Sequence, residues 1–287
     1  MFIHETNKAI QEFYEAVKSK NTRKIEGSKV IKIINNILSN PEDPLNSLLP
    51  KGTILYRARE IDTTKAYKDK ECGFDAFFDE NNKFQCSGYN CYESKEAPLT
   101  VSLSGRNNIQ GMSYLYLSLE PYTACAEIKP NTRGLASLAT FKVEKDLKII
   151  NFYDKVEDYG NWDFAKENQV FPHQILNYIF SSYAYIKRND DTYLITQYIS
   201  DYIRKAGIDG IKYWGSVNYG TNYTIFNCHK SNIKFLGSKI IATYGVEYDF
   251  IDLESEKPLE CPQKREHDIT SLKRLLVRDI RLAREEN

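Results

Sequence analysis

The sequence predicts an α+β protein: a mixed β-core with helices, a helical N-terminal prefix and a C-terminal helix. Three observations carry this. Apolar residues recur at helical spacing over residues 5–40, strand-like runs interleave with helices from Thr53 to about residue 249, and an amphipathic segment closes the chain. There is no internal repeat and no low-complexity tract. A length of 287 residues suits one large domain, or one of ordinary size with appendages.

In the prefix, Ile10, Phe13, Tyr14 and Val17 recur at helical spacing, and Val30, Ile31, Ile34 and Leu38 do so again, which predicts two helices. Asn40-Pro41 and Pro44 break the second. Two short helices make a poor independent core, so residues 1–48 are expected to pack on the main domain. Thr53 to Arg59 reads as a strand, with Arg57 and Arg59 on one face and Tyr56 and Ala58 on the other. Residues 66–100 show no long period, and an insertion of that length is more often a functional loop or lid than idle chain.

Ser113 to Ser118 is the next strand, after which Glu120-Pro121 opens a helix through Ala124, Ala126 and Glu127, the proline standing early where a helix tolerates it. Leu135–Val143 and Leu147–Phe152 read as paired strands. Helices are expected at about 172–187 and 191–206, the second stopping at Gly207. Gly210 to Tyr213 and Asn222 to Phe226 flank a turn from Trp214 to Thr221, and residues 232–249 add strand. Beyond Pro258 and Pro262, Ile269, Leu272, Leu275, Leu276 and Ile280 make one apolar helical face in a tail spanning 251–287.

Composition narrows the function classes. Hydrophobic residues make up 41%, enough for a real core. Lys+Arg and Asp+Glu both number 39, so the chain lacks the basic excess usual in proteins that neutralise nucleic-acid phosphates. A small anionic ligand needs only a few placed arginines, and zero net charge does not argue against one. The 21 tyrosines suit core rims and pockets that stack planar ligands. No apolar run reaches the length of a membrane span and Met1 to Ser19 has no apolar signal core, so the chain reads as cytoplasmic with no membrane partner. Cys72, Cys86, Cys91, Cys125, Cys228 and Cys261 are scattered, and His4, His173, His229 and His267 show no ligand spacing, which favours free thiols and no metal.

Four pieces point to chemistry. Arg57 lies in Leu55-Tyr56-Arg57; Gly105-Arg106-Asn107-Asn108 leads to Gly111; Tyr114 to Ser118, with Tyr116, is followed by Thr123-Ala124-Cys125-Ala126-Glu127; and Gly207-Ile208-Asp209-Gly210-Ile211-Lys212-Tyr213-Trp214-Gly215 ends at Ser216. Each alone is ordinary: a surface arginine, a turn, a solvated helical glutamate, a serine in a turn. In this order, over about residues 50–230, they resemble the RES family, named for its Arg, Glu and Ser. Asn107 departs from the family pattern, and residues 66–100 are longer than in compact members, with Gly88-Tyr89 and Ser94 resembling a segment of larger relatives.

The resemblance implies an ADP-ribosyltransferase-like domain over residues 49–250, with a split, strongly bent mixed β-core and NAD+ in its cleft as substrate. It implies an NAD-degrading toxin, cleaving the nicotinamide–ribose bond as a glycohydrolase or phosphorylase, with an Xre-type antitoxin as partner. The residues suit that chemistry independently. Cleavage passes through an oxocarbenium-like state, positive at the ribose, and Glu127 is the carboxylate expected to stabilise it. Arg57, then Arg106, offers the planar fork that a pyrophosphate wants, with Arg59 and Asn108 as further binding residues. Tyr116 offers a ring face and a hydroxyl, and Ser216 a hydrogen bond to a ribose or carboxamide. Two other readings share these residues: an ADP-ribosyltransferase acting on a protein or nucleic acid, and an inactive interaction or immunity module. Together, Arg57, Tyr116, Glu127 and Ser216 argue against the inactive module.

Overall fold

The computed structural model describes residues 2–61, 77–78, 84–85, 88–96, 102–131, 134–153, 175–176, 179–180, 193–215, 217, 220–226, 233–243, 251–252 and 257–258. The tail helix expected around residues 269–280 lies outside them.

The prefix forms α1 (Phe2–Lys18), α2 (Thr22–Gly27) and α3 (Lys29–Ser39). The short α2, not foreseen, is set by its polar ends. Asn21 Oδ1 accepts from the Lys24 amide at 3.1 Å, and Ser28 ends α2 and caps α3 by accepting from the Ile31 amide at 3.3 Å. The apolar faces predicted for α1 and α3 are buried in one cluster with Ile150, Phe152, Ile211, Tyr213 and Phe226 of the main domain, and with Ile195, Ile199 and Ile203 of the later helix α6 (Leu194–Lys205). The prefix therefore completes the main core.

Eleven further strands and three helices follow the unforeseen β1 (Asn46–Leu49) among the described residues. They run β2 (Ile54–Glu60), β3 (Phe77–Phe78), β4 (Phe84–Gln85), α4 (Cys91–Ser94), β5 (Leu115–Ser118), α5 (Pro121–Glu127), β6 (Leu135–Val143), β7 (Leu147–Asn151), α6, β8 (Gly210–Trp214), β9 (Thr221–Ile225), β10 (Ile233–Ala242), β11 (Ile251–Asp252) and, last, β12 (Lys257–Pro258). Eight strands form one mixed sheet in the order β1-β7-β8-β9-β5-β2-β6-β10, with only the β7–β8 pair parallel. β1 was invisible to pattern reading because it is four residues long and Leu48 is 61% exposed.

One expectation is corrected. β6 and β7 are consecutive in sequence but do not pair: β6 lies between β2 and β10, and β7 between β1 and β8. Their separation forces the sheet to bend. They stand five places apart in the strand order, which in a flat sheet is about 24 Å at about 4.8 Å per strand. The four residue steps from Val143 to Leu147 reach at most about 14 Å. The sheet curls until both halves enclose one apolar cluster, with Leu49, Leu147 and Ile149 from one side and Leu55, Phe141 and Val143 from the other.

The bend opens the sheet at one place. β2 meets β5 through a single register pair, Tyr56 with Ser118, whereas β2 and β6 share seven pairs and β5 and β9 share four. Helix α5 covers this gap, packing Ala124 against Ala58 and Leu138.

Candidate active site

The glycine-bounded loop before β5 is a scaffold for Tyr116. The Gly105 amide bonds the Asn108 carbonyl at 2.9 Å, and the buried Asn108 amide group donates to the carbonyls of Leu103, Ile109 and Met112 at 3.0, 3.1 and 2.7 Å. The Tyr116 hydroxyl donates to Asn108 Oδ1 at 2.6 Å and accepts from the Asn107 amide at 3.0 Å. A methyl group at Gly105 would stand 2.6 Å from Asn108 Oδ1 and 2.9 Å from the Tyr116 oxygen, so only glycine lets the loop close over the ring.

Burial pushes the Tyr116 phenol well above the usual tyrosine range, so it remains a donor. Both Asn108 and the Tyr116 hydroxyl, expected to meet the ligand, are thus spent on the loop; the rest of Tyr116 still lines the cleft. Tyr116→Phe is expected to lower stability by about 1–3 kcal/mol, because it strands a buried amide and a buried carbonyl oxygen. Thermal denaturation checks this: an unchanged melting temperature would mean that the hydroxyl does not hold the loop.

At the gap between β2 and β5 lies an open cleft of about 240 Å³. Arg57 of β2, Tyr116 and Ser118 of β5, Glu127 of α5, Tyr213 of β8 and Asn222 of β9 line it. Helix α5, with Pro121 at its start, brings Glu127 to its last turn, half-buried and turned inward, where Oε1 accepts from Asn222 Nδ2 at 2.8 Å. Asn222 Oδ1 in turn accepts from Ser118 Oγ at 2.6 Å. Ser216 lies outside the described residues, but its neighbour Gly215 passes against the carboxylate: a methyl group there would stand 2.9 Å from Glu127 Oε1 and 3.2 Å from Asn222 Nδ2.

The arginines have separate fates. Arg57 Nη1 donates to the carbonyls of Ser94, at 2.9 Å, and Lys95, and Arg59 Nη1 donates to that of Glu93. These carbonyls end α4, whose start is closed by the Asn90–Glu93 capping box. Residues 88–96 form a strap over the sheet, with the Tyr89 amide on Ser137 Oγ at 2.8 Å and the Tyr89 carbonyl on Ser238 Oγ at 2.6 Å. Part of the expected 66–100 insertion is therefore built structure that holds two arginines. Arg106 stands behind the cleft wall, its guanidinium 5.5 Å from the Tyr213 ring centre and its Nη2 buried without a hydrogen bond. Neither Arg59 nor Arg106 is among the residues lining the cleft.

Ser118, Tyr213 and Asn222 were not singled out from the sequence. The signal for Asn222 was present, since Asn222 and Thr224 alternate with Tyr223 and Ile225 along a strand buried at every position. Polar side chains in such a strand need partners: Asn222 has Glu127 and Ser118, and Thr224 Oγ1 accepts from Asn107 Nδ2 at 2.7 Å. Among the described residues, Cys91 and Cys125 are free thiols, no group of three or more His, Cys, Asp or Glu is placed to hold a metal ion, and no helix is long and apolar enough to cross a membrane.

Fold and cleft together define an α+β domain whose bent mixed sheet opens onto an arginine, a tyrosine and an oriented carboxylate. The chain belongs to the RES domain family, whose sequence model matches residues 92–239. Tyr116, Glu127 and Ser216 fall within that match, and Arg57 precedes it. No curated protein matches the chain. Among solved structures it is similar to a chain in the crystal structure of the M. tuberculosis MbcT–MbcA toxin–antitoxin complex, at 8% identity and a TM-score of 0.38, over 75% of this chain and 91% of that one.

Proposed function

We propose that this protein consumes NAD+, cleaving its nicotinamide–ribose bond as a glycohydrolase or phosphorylase, and serves as a toxin or defence effector held in check by a cognate antitoxin. The observation that carries this reading is the carboxylate of Glu127, hydrogen-bonded and turned into a cleft that Arg57 also lines. Membership of the RES family supports NAD+ as the substrate.

The cleft residues suit the reaction step by step. Arg57 supplies charge for the pyrophosphate, and the Tyr116 and Tyr213 side chains give aromatic surface to planar groups. The C1′–N bond breaks with its electron pair going to the nicotinamide nitrogen, so nicotinamide leaves neutral. Glu127 faces the positive charge left on the ribose, where an electrostatic group is worth most. Water or phosphate then attacks C1′. With water, one proton is released and ADP-ribose forms; with phosphate, ADP-ribose 1-phosphate forms.

Mass spectrometry of isotope-labelled NAD+ incubated with the protein and a cell extract, with and without phosphate, tests the reading. Free nicotinamide with ADP-ribose or its 1-phosphate is expected. Label retained on protein or nucleic acid would make the protein an ADP-ribosyltransferase, and intact NAD+ would remove the reading.

A further inference from the structure

Glu127 reaches the cleft from the end of a seven-residue helix, a position with little to hold a flexible side chain. Strands β5, β8 and β9 supply the restraint. In their register Ser118 stands opposite Asn222, and Asn222 opposite Tyr213, so the three side chains share one face at the gap in the sheet. Asn222 is 5% exposed and Ser118 4%. Ser118 Oγ donates to Asn222 Oδ1 at 2.6 Å, and Asn222 Nδ2 donates to Glu127 Oε1 at 2.8 Å.

The direction of this chain follows from chemistry. An ionised carboxylate only accepts, so the amide must turn its nitrogen toward Glu127 and its oxygen away. That oxygen needs a donor, and a serine hydroxyl rotates to become one. A neutral amide also fixes the carboxylate without bringing a counter-charge, which a lysine or arginine in its place would do. Gly215 closes the remaining side, since a side chain there would strike both partners of the bond.

We propose that Asn222 is the positioning residue for Glu127 and that Ser118 sets the orientation of Asn222. The proposal rests on the reading of Glu127 as the catalytic carboxylate of NAD+ cleavage. Asn222 acts through Glu127 alone, so its loss moves turnover and leaves substrate binding in place.

The test measures kcat and KM for NAD+ in the purified full chain and in Asn222→Ala, Ser118→Ala, Ser118→Thr, Glu127→Gln and the double variant Asn222→Ala/Glu127→Gln. Asn222→Ala is expected to lower kcat on the order of 100-fold, the usual consequence of misplacing a reacting group by about 1 Å, with KM changed less than about threefold. Added to Glu127→Gln it lowers kcat no further, because the effect has no other route. Ser118→Ala lowers kcat less than Asn222→Ala, and Ser118→Thr, which keeps the hydroxyl, restores it.

A folded Asn222→Ala with near wild-type kcat, a rise in KM instead, or an equal further loss in the Glu127→Gln background overturns the proposal. Should Asn222→Ala not fold, the serine pair decides: equal kcat in Ser118→Ala and Ser118→Thr overturns it. Wild-type protein that leaves NAD+ intact removes the functional reading, and the proposal with it, whereas active wild-type protein with active Asn222→Ala removes the proposal alone.

Discussion

Glu127→Gln is expected to cut NAD+ consumption by about 100- to 1000-fold, the cost of removing one electrostatic group aimed at a transition state, while NAD+ still binds. The structure makes the substitution a clean one. Oε1 of Glu127 accepts from Asn222, and the glutamine carbonyl accepts in the same way, so the bond that orients the side chain survives. What changes is charge. NAD+ in the ground state carries its positive charge on the nicotinamide ring, and only as the bond breaks does it move to the ribose. A carboxylate beside the ribose therefore acts mainly on the barrier, and its loss shows in kcat before it shows in affinity. Loss of NAD+ with time gives the rate, and calorimetry gives the affinity. Retention of more than about a tenth of wild-type turnover, far outside the usual range, would mean that Glu127 is not the catalytic carboxylate.

How far the site was legible depended on whether a residue announces itself locally. Arg57, Tyr116 and Glu127 stand in short runs with distinctive neighbours, and the structure brings all three to one cleft. The α+β class and most strands were legible because the strands are rich in apolar residues over short stretches bounded by turn signals, as in Leu135–Val143. Pairing was not legible. β6 and β7 look like a hairpin from sequence, yet a bend that only the whole sheet defines sends them to different neighbours.

The same distinction separates roles from positions. The family-like loop at Gly105 reads as a ligand loop, but its asparagine and the tyrosine hydroxyl bond each other. Their hydrogen-bond balance depends on Leu103, Ile109 and Met112 carbonyls, whose direction no side-chain pattern records. Asn222 was missed for the opposite reason. Its partners, Ser118 and Glu127, are 104 and 95 positions away, so its importance exists only in the folded register.

Arg57→Ala is expected to raise the KM for NAD+ by roughly 10- to 100-fold, the equivalent of losing a charge-assisted hydrogen bond worth about 1.5–3 kcal/mol, and to lower turnover as well. The pyrophosphate is charged in both ground and transition states, so its partner contributes to both. The structure adds a second consequence that the sequence did not suggest. Arg57 Nη1 donates to the Ser94 and Lys95 carbonyls, which end the strap of residues 88–96. Removing the guanidinium leaves the strap with Arg59 on Glu93 and with Tyr89 anchored on Ser137 and Ser238. Its C-terminal end should then exchange amide hydrogens faster, while the Tyr89 end stays protected. Arg57→Lys separates the two functions: it keeps a positive charge for an anionic ligand but, with a shorter and differently shaped head group, no longer places a nitrogen where Nη1 meets both carbonyls. It should recover part of the affinity and little of the strap's protection. An Arg57→Ala protein with wild-type KM would take Arg57 out of ligand binding and leave it as the strap's anchor, a role that hydrogen exchange at residues 93–96 would report on its own.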